Sequence, residues 1–196
     1  MILAVRTLSK GEAAAKQHRL KFHEAKIEVW QVDMILYKSA QQFADRCRGL
    51  DRIGLAILNA GVQNMDYVRA QEGHEEVFQT NYLSTVPLAH LLLPTLKEKS
   101  PVGKTSRLTV VNSGTTLIAK LLSRNKKPFI PSFDDEQSFV AKEKYSASKA
   151  LAHFWILKLV QRVRKESVII NLVDPEAVKN TILTRGVSGI LRVAAK

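Results

Sequence analysis

Five short apolar runs recur along this chain, and stretches with helical character separate them. The runs are "MILAVR", "KIEVWQVD", "RIGLAILNAG", "SRLTVVNSG" and "SVIINLVDP". Each is too short for a buried helix, rich in β-branched residues, and closed by a polar residue, a glycine or a proline, so each reads as a strand. The stretches between them carry alanine, leucine and charged residues at helical spacing. Strands that alternate with helices demand crossover connections. Those connections are right-handed and build a parallel sheet with helices packed on its faces. The expected fold is therefore α/β, with ligands at the carboxyl ends of the strands.

The helical stretches refine this. "SKGEAAAKQHRLKFHEA" offers Ser9 as a cap and Glu12, three residues on, as its partner. Residues 39–50 read as a helix. Residues 73–99 read as one long helix that Pro87 should kink, because proline has no N–H to donate. Residues 141–165 read as a second long helix. Residues 114–139 are irregular and form either a surface loop or part of a substrate wall. The end, "VKNTILTRGVSGILRVAAK", reads as partly helical.

The sequence has 196 residues and suits a single domain, with room for a core. Thirty Lys and Arg against eighteen Asp and Glu leave a formal charge of +12. The cations are spread out, and neither an arginine-rich arm nor a zinc-finger spacing accompanies them, so nucleic-acid binding is not expected. Cys47 is the one cysteine, which excludes an internal disulfide and points to a reducing, cytoplasmic setting. The five histidines lack metal-ligand spacing, and no metal is expected. The N-terminal stretch lacks a secretory apolar core, and no apolar run is long enough to span a bilayer. Cys47, Trp30, Phe154 and Trp155 read as packing groups.

One stretch could carry chemistry. In "KEKYSASKALAHF", Tyr145 and Lys149 stand at i and i+4, on one helix face. A phenol is a poor base at neutral pH, with a pKa near ~10. A neighbouring ammonium favours the phenolate, and so can turn a tyrosine into an acid/base for a carbonyl or an alcohol. A hydroxyl to hold the substrate oxygen is also needed, and Ser113 closes a predicted strand at the ligand edge.

The motifs occur in a telling order: "LAVR", "VD", "LNAG", "VVNS" and "YSASK", with Asn81 in the helix between. In this the chain resembles the short-chain dehydrogenase/reductase family. More narrowly, "LAVRTLSKGEAA", "LAILNAGV", "FQTNYLSTVPLAHLLLP" and "YSASKAL" resemble its retinol-dehydrogenase-like and fungal secondary-metabolism branch. The resemblance implies a Rossmann-like, doubly wound parallel sheet that forms one NAD(P)-binding domain over residues 1–196. It implies hydride transfer at a carbonyl or alcohol carbon of a lipophilic or secondary-metabolite substrate. Tyr145 would be the acid/base, Lys149 would lower its pKa and bond the nicotinamide ribose, and Ser113 would orient the substrate oxygen. Asn81 would hold a proton relay. Asn59, Ala60 and Gly61 would lie beside the adenine ribose, Asp33 at the adenine ring, and Thr181 at the cofactor's phosphate or carboxamide side. Arg6 would meet a 2′-phosphate, which favours NADP(H) over NAD(H). Pairing of the long helices into a homo-oligomer is implied by analogy.

Two departures stand against that pattern. The family opens with a strand and a T-G-x-x-x-G-x-G turn, which bring a helix N-terminus to the pyrophosphate. Here residue 1 already corresponds to the second strand, and the nine glycines form no such cluster. That absence leaves "MILAVR" and "IGLAILNAG" without the strand expected between them, so either they close up, or another chain covers the edge, or the native protein is longer. Second, Pro175 is followed by Glu176 where glycine is usual, and a carboxylate there is unfavourable beside a pyrophosphate. The alternative reading is thus a relative without redox activity, serving as a binding or scaffold protein or catalysing an isomerisation or cyclisation.

Overall fold

All five strands form, and every pairing between them is parallel. They are β1 (Ile2–Val5), β2 (Glu28–Gln31), β3 (Leu55–Leu58), β4 (Ser106–Val111) and β5 (Val168–Val173). The computed structural model describes residues 1–122, 124–176 and 183. The strands do not form one sheet. β1 pairs with β2 in a two-stranded sheet, and β3, β4 and β5 form a separate three-stranded sheet in that order. Of the outcomes expected for the interrupted sheet, closing up is not found: β1 and β3 each keep an edge free of strand partners among the described residues.

A shared core still unites the halves. Trp30, Val32 and Met34 from the β2 region join Ala40, Ala44 and Cys47 of α2 (Tyr37–Arg48). Leu88, Leu92 and Leu96 of α4 (Thr85–Glu98) complete it with Leu108 of β4 and Val168 of β5. Ile2 of β1 and Ala56 and Leu58 of β3 pack against the same cluster. The opposite face of β3 is bare, with Leu55 and Ile57 53% and 56% exposed.

The first helix, α1 (Leu8–Lys21), lies close over the two-stranded sheet. Gly11 allows this, since a Cβ there would come 2.5 Å from Val29 and 2.7 Å from Val5. The expected cap at Ser9 does not form. Thr7 is the cap residue, without a side-chain bond, and Ser9 lies inside the helix.

The expected helix at 73–99 begins later. Glu75 caps it, its carboxylate accepting from the Val77 and Phe78 amides at 3.0 and 2.9 Å. Gly73, at φ +92°, turns the chain just before. A short α3 (Glu76–Phe78) runs into a π-helical turn (Gln79–Ser84) and then α4. The break expected from Pro87 is thus taken up upstream. Pro87 falls in the first turn of α4, where a missing N–H costs little. The last long helix, α5 (Ala141–Leu159), stops short of residue 165, and the chain leaves it through a tighter turn in which the Arg162 amide donates to the Leu159 carbonyl at 2.9 Å. On α5, Phe154 is half exposed rather than a core group, while Trp155 packs against the core at its edge and donates to His90 Nε2 at 3.0 Å.

Candidate active site

The carboxyl ends of β3 and β4 and the first turns of α5 converge on Tyr145 and Lys149. Both are nearly inaccessible, at 6% and 5% exposure. The Lys149 ammonium donates to the Val111 carbonyl, the last residue of β4, at 2.9 Å. It lies 5.9 Å from the centre of the Tyr145 ring. One bond leaves the ammonium with donors to spare. Its free side faces Gly61, where a Cβ would stand 3.4 Å from Nζ and 3.3 Å from Asn81 Oδ1. The "NAG" turn therefore reaches the pair only because its last residue has no side chain.

Asn81 sits in the π-helical turn and is 2% exposed. Its carboxamide clasps the backbone of Val62: Oδ1 accepts from Val62 N at 2.9 Å, and Nδ2 donates to Val62 O at 3.0 Å. Nδ2 also donates to Ser148 Oγ at 3.1 Å, and Ser148 in turn donates to the Tyr145 carbonyl at 2.7 Å. Asn81 thus ties the turn after β3 to α5. A π-helical turn inside a longer helix commonly marks a functional position.

Ser113 follows β4 and caps the 3-10 turn Gly114–Ile118, accepting from the Thr115 amide at 3.3 Å. Its hydroxyl is close enough to Tyr145 to favour the phenolate. Burial outweighs it. The Tyr145 phenol is pushed up, first by desolvation, against the help of Ser113, with the Asp174 carboxylate adding to the rise. The lowering by Lys149 that the motif suggests is not the outcome. Burial desolvates Lys149 as well, and brings its pKa down to about 8 although Asp174 opposes that fall.

Asp174 carries no role in the motif order, yet its place just after a predicted strand, at the ligand edge of the sheet, singles it out in the sequence. It follows β5 at the same edge, and its Oδ2 would come 2.8 Å from a Cβ on Gly114. Glu176 two residues on has φ +57°, a left-handed conformation that suits glycine far better than glutamate.

A second charged group lies beside the pair. Lys144 is 5% exposed and donates to the Phe133 carbonyl at 2.6 Å. Glu75 is fully buried. Burial pushes the Glu75 carboxyl up and the Lys144 ammonium down, and their mutual attraction works against both. Asp134 completes the group, accepting from the Glu75 amide and bonding His74 Nδ1, each at 2.9 Å. Phe133 stacks on Phe78 at 4.1 Å. Within residues 129–134, Phe129 and Phe133 are thus packed inward, while Ile130 and Pro131 are exposed.

The cofactor-side residues are more scattered. Arg6, after β1, is largely exposed, with its guanidinium 3.9 Å from Glu76. Asp33, after β2, accepts from the Ile35 amide at 3.2 Å. Asn59 and Ala60 are exposed. Thr181 lies outside the described residues. A nicotinamide cofactor fits one end of this arrangement. Lys149 has spare donors, the Gly61 backbone is open, and Asn112 keeps a buried carboxamide oxygen without a partner at the end of β4. The other end does not fit. The described residues include no glycine-rich turn at a helix N-terminus for a pyrophosphate, and Gly11 is occupied against Val5 and Val29. Among the described residues no His, Cys, Asp and Glu group could hold a metal, and no helix is long and apolar enough to cross a membrane.

Comparison with known proteins gives the same pattern. Residues 1–120 match the family model for short chain dehydrogenases. A short chain dehydrogenase/reductase of Annulohypoxylon moriforme, mfmJ, is 47% identical over 98% of this chain and 57% of its own length. The short chain dehydrogenase virL of Hypocrea virens is 38% identical over 97% of this chain and 56% of its own. The chain thus spans little more than half the length of these curated relatives. Among solved structures, a short-chain dehydrogenase from Sphingobium yanoikuyae in complex with NADPH superposes with a TM-score of 0.66 at 21% identity, over 90% of this chain and 61% of that one. An NADH-dependent reductase complexed with NAD gives 0.64 at 20% identity, over 99% and 74%.

Proposed function

Since this chain belongs to the short-chain dehydrogenase family, in its fungal branch, we propose that it takes part in interconverting a carbonyl and an alcohol, with NADP(H) as the preferred cofactor. The observation that carries the reading is the joint burial of Tyr145, Lys149 and Asn81 where the strands β3 and β4 end, with Ser113 against the phenol.

Each residue has a part in the proposed chemistry. The Tyr145 hydroxyl passes a proton to the substrate oxygen in reduction and takes it back in oxidation. The Ser113 hydroxyl holds that oxygen in place. Lys149, cationic below a pKa of about 8, bonds a sugar hydroxyl with its spare donors and steadies charge on the phenol as the proton leaves. Asn81 keeps the turn at Gly61 and the start of α5 in register. The cofactor, when bound, supplies or accepts the hydride. Gly61 and Lys149 would hold its nicotinamide ribose, with Asn59 and Ala60 on the sugar side, Asp33 toward the adenine and Arg6 toward a 2′-phosphate. No residue is assigned to the pyrophosphate. A lipophilic substrate is favoured by the bare apolar side chains of Leu117 and Ile118 next to Ser113.

The test begins with NADPH and NADH titrated separately into the protein and followed by fluorescence. Saturable binding with NADPH tighter is expected. Absence of binding at millimolar NADPH would sink the redox reading and favour the cofactor-free alternative, which the strained Glu176 supports. If cofactor binds, Tyr145→Phe should keep its affinity and lose about 10²–10⁴ in turnover.

A further inference from the structure

We infer that Leu117–Leu122 and Arg124–Lys127 together form a docking surface for an anionic lipid bilayer. Three apolar side chains project from it, Leu117 at 88% exposure, Ile118 at 72% and Leu122 at 63%. Side chains of that size seldom stand so free on a soluble surface, and a cluster of them marks an interaction site.

The exposure is imposed by the backbone. The amides of Lys120 and Leu122 both donate to the Glu143 carboxylate, at 3.2 and 3.4 Å, which fastens the segment to the start of α5. Leu121 has φ +50°, a left-handed conformation that a leucine adopts only at a cost. That conformation directs Leu121 inward, where it packs against the buried Phe78, Phe133 and Ala147. Leu122 is left facing out. Backbone strain held in place by surrounding contacts is characteristic of functional segments.

Charge selects the occupant. Lys120, Arg124, Lys126 and Lys127 alternate with or follow the apolar side chains, and all four are exposed. Of the carboxylates nearby, Glu136 is exposed and three others are engaged. Glu143 holds the two amides, Asp135 pairs with Lys126 at 3.4 Å, and Asp134 is turned toward His74 and Glu75. Apolar side chains flanked by cations match the interface of a bilayer with anionic headgroups, where the former enter the acyl boundary and the latter meet phosphate. The apolar end of the segment is the turn that Ser113 caps, so a bilayer bound there would lie beside the proposed site. A lipophilic substrate could then pass between the two without crossing water.

The test is co-sedimentation of the intact chain with phosphatidylcholine vesicles, with and without phosphatidylserine. Binding to the phosphatidylserine vesicles, weakened by salt, is expected. The triple variant Leu117→Ser, Ile118→Ser, Leu122→Ser should lower partitioning more than about tenfold, since each position loses an apolar side chain from the interface. Arg124→Gln with Lys127→Gln should weaken it about 25-fold, about fivefold per cation. All five positions are exposed, so circular dichroism should be unchanged. A fluorophore on Leu122→Cys should shift to the blue on vesicles, with Cys47 buried and silent. No binding at millimolar lipid, equal binding to neutral vesicles, or full binding by the triple variant would overturn the inference. A change in the triple variant's sedimentation coefficient without lipid, with no vesicle binding by the parent, would assign the surface to a second copy and overturn it too. Vesicle binding needs neither cofactor nor turnover, so its failure is separable from failure of the proposed reaction.

Discussion

The three-stranded sheet and the two-stranded sheet were both legible as strands, and both contribute to one core, yet they are held very differently. β4 has a strand on either side, and its Leu108 is fully buried. Asn81, Lys144, Tyr145 and Lys149 all hang from the helices that cover it, and each is at most 6% exposed. In the two-stranded sheet each strand has one partner, and Ala4 and Gln31 are exposed. Arg6 and Asp33, the residues proposed to select the cofactor, stand at its solvent edge. The half that handles protons is preorganised by burial. The half proposed to grip the nucleotide is held by one helix and a short pair of strands, so cofactor selection and proton transfer should respond separately to mutation.

The hardest blow to the buried half is Glu75→Ala. It strips the cap from α3 and leaves the buried Val77 and Phe78 amides without their acceptor. A buried donor left unsatisfied costs about 1–3 kcal/mol, here twice over, and urea unfolding followed by circular dichroism measures it. Glu75→Gln retains an acceptor for the cap and should lose less. A loss below about 1 kcal/mol for Glu75→Ala would mean that the cap is not buried as described.

Lys149 gives the next effect, as a pH dependence. Its folded pKa of about 8 lies below its ordinary value of 10.5. Between those values the unfolded chain binds the extra proton, so stability rises as pH increases through this window. Below pH 8 the buried ammonium is a standing cost, at most on the order of 3 kcal/mol. Lys149→Met should be the more stable protein at pH 7 and should lack this share of the rise. Parallel stability curves for the two proteins from pH 7 to 11 would contradict the burial of this charge.

Gly11→Ala tests the weaker half. The new methyl meets Val29 and Val5 far inside contact distance, and overpacking of this kind costs about 1–3 kcal/mol. The loss should be local. Amides of Leu3–Val5 should exchange faster, while those of Leu108–Val110 keep their protection. Even in the parent chain the β1 amides should exchange before those of β4, and this is the mildest effect. Equal protection across the two sheets would remove the contrast between them.

How much could be read beforehand follows the range of the forces involved. Strand positions were legible because alternation and turn residues are local. Tyr145, Lys149, Ser113 and Asn81 could be singled out because the order of their motifs along the chain resembles that of a family, and the structure buries Tyr145, Lys149 and Asn81. The division into two sheets was legible only as a missing partner. The closing-up option had to be weighed without knowing that Ile2 and Leu58 would share a core across the gap. Lys144 read as one more cation at a helix start. Its burial depends on Phe133 and on Glu75, 69 positions away, and no window of sequence joins them. The rise of the Tyr145 pKa was hidden for the same reason, since desolvation belongs to the packed state and not to the motif.

The π-helical turn has a consequence of its own. Each residue of an α-helix advances the side chain by about 100° around the axis, and a π turn takes in one residue more. Gln79–Ser84 is therefore a phase shifter between Asn81, aimed at Val62, and the Leu88, Leu92, Leu96 stripe, aimed at the core. Removing a single residue there would leave every side chain intact in kind and still force a choice between those two orientations. Over this stretch the number of residues carries information that their identities do not.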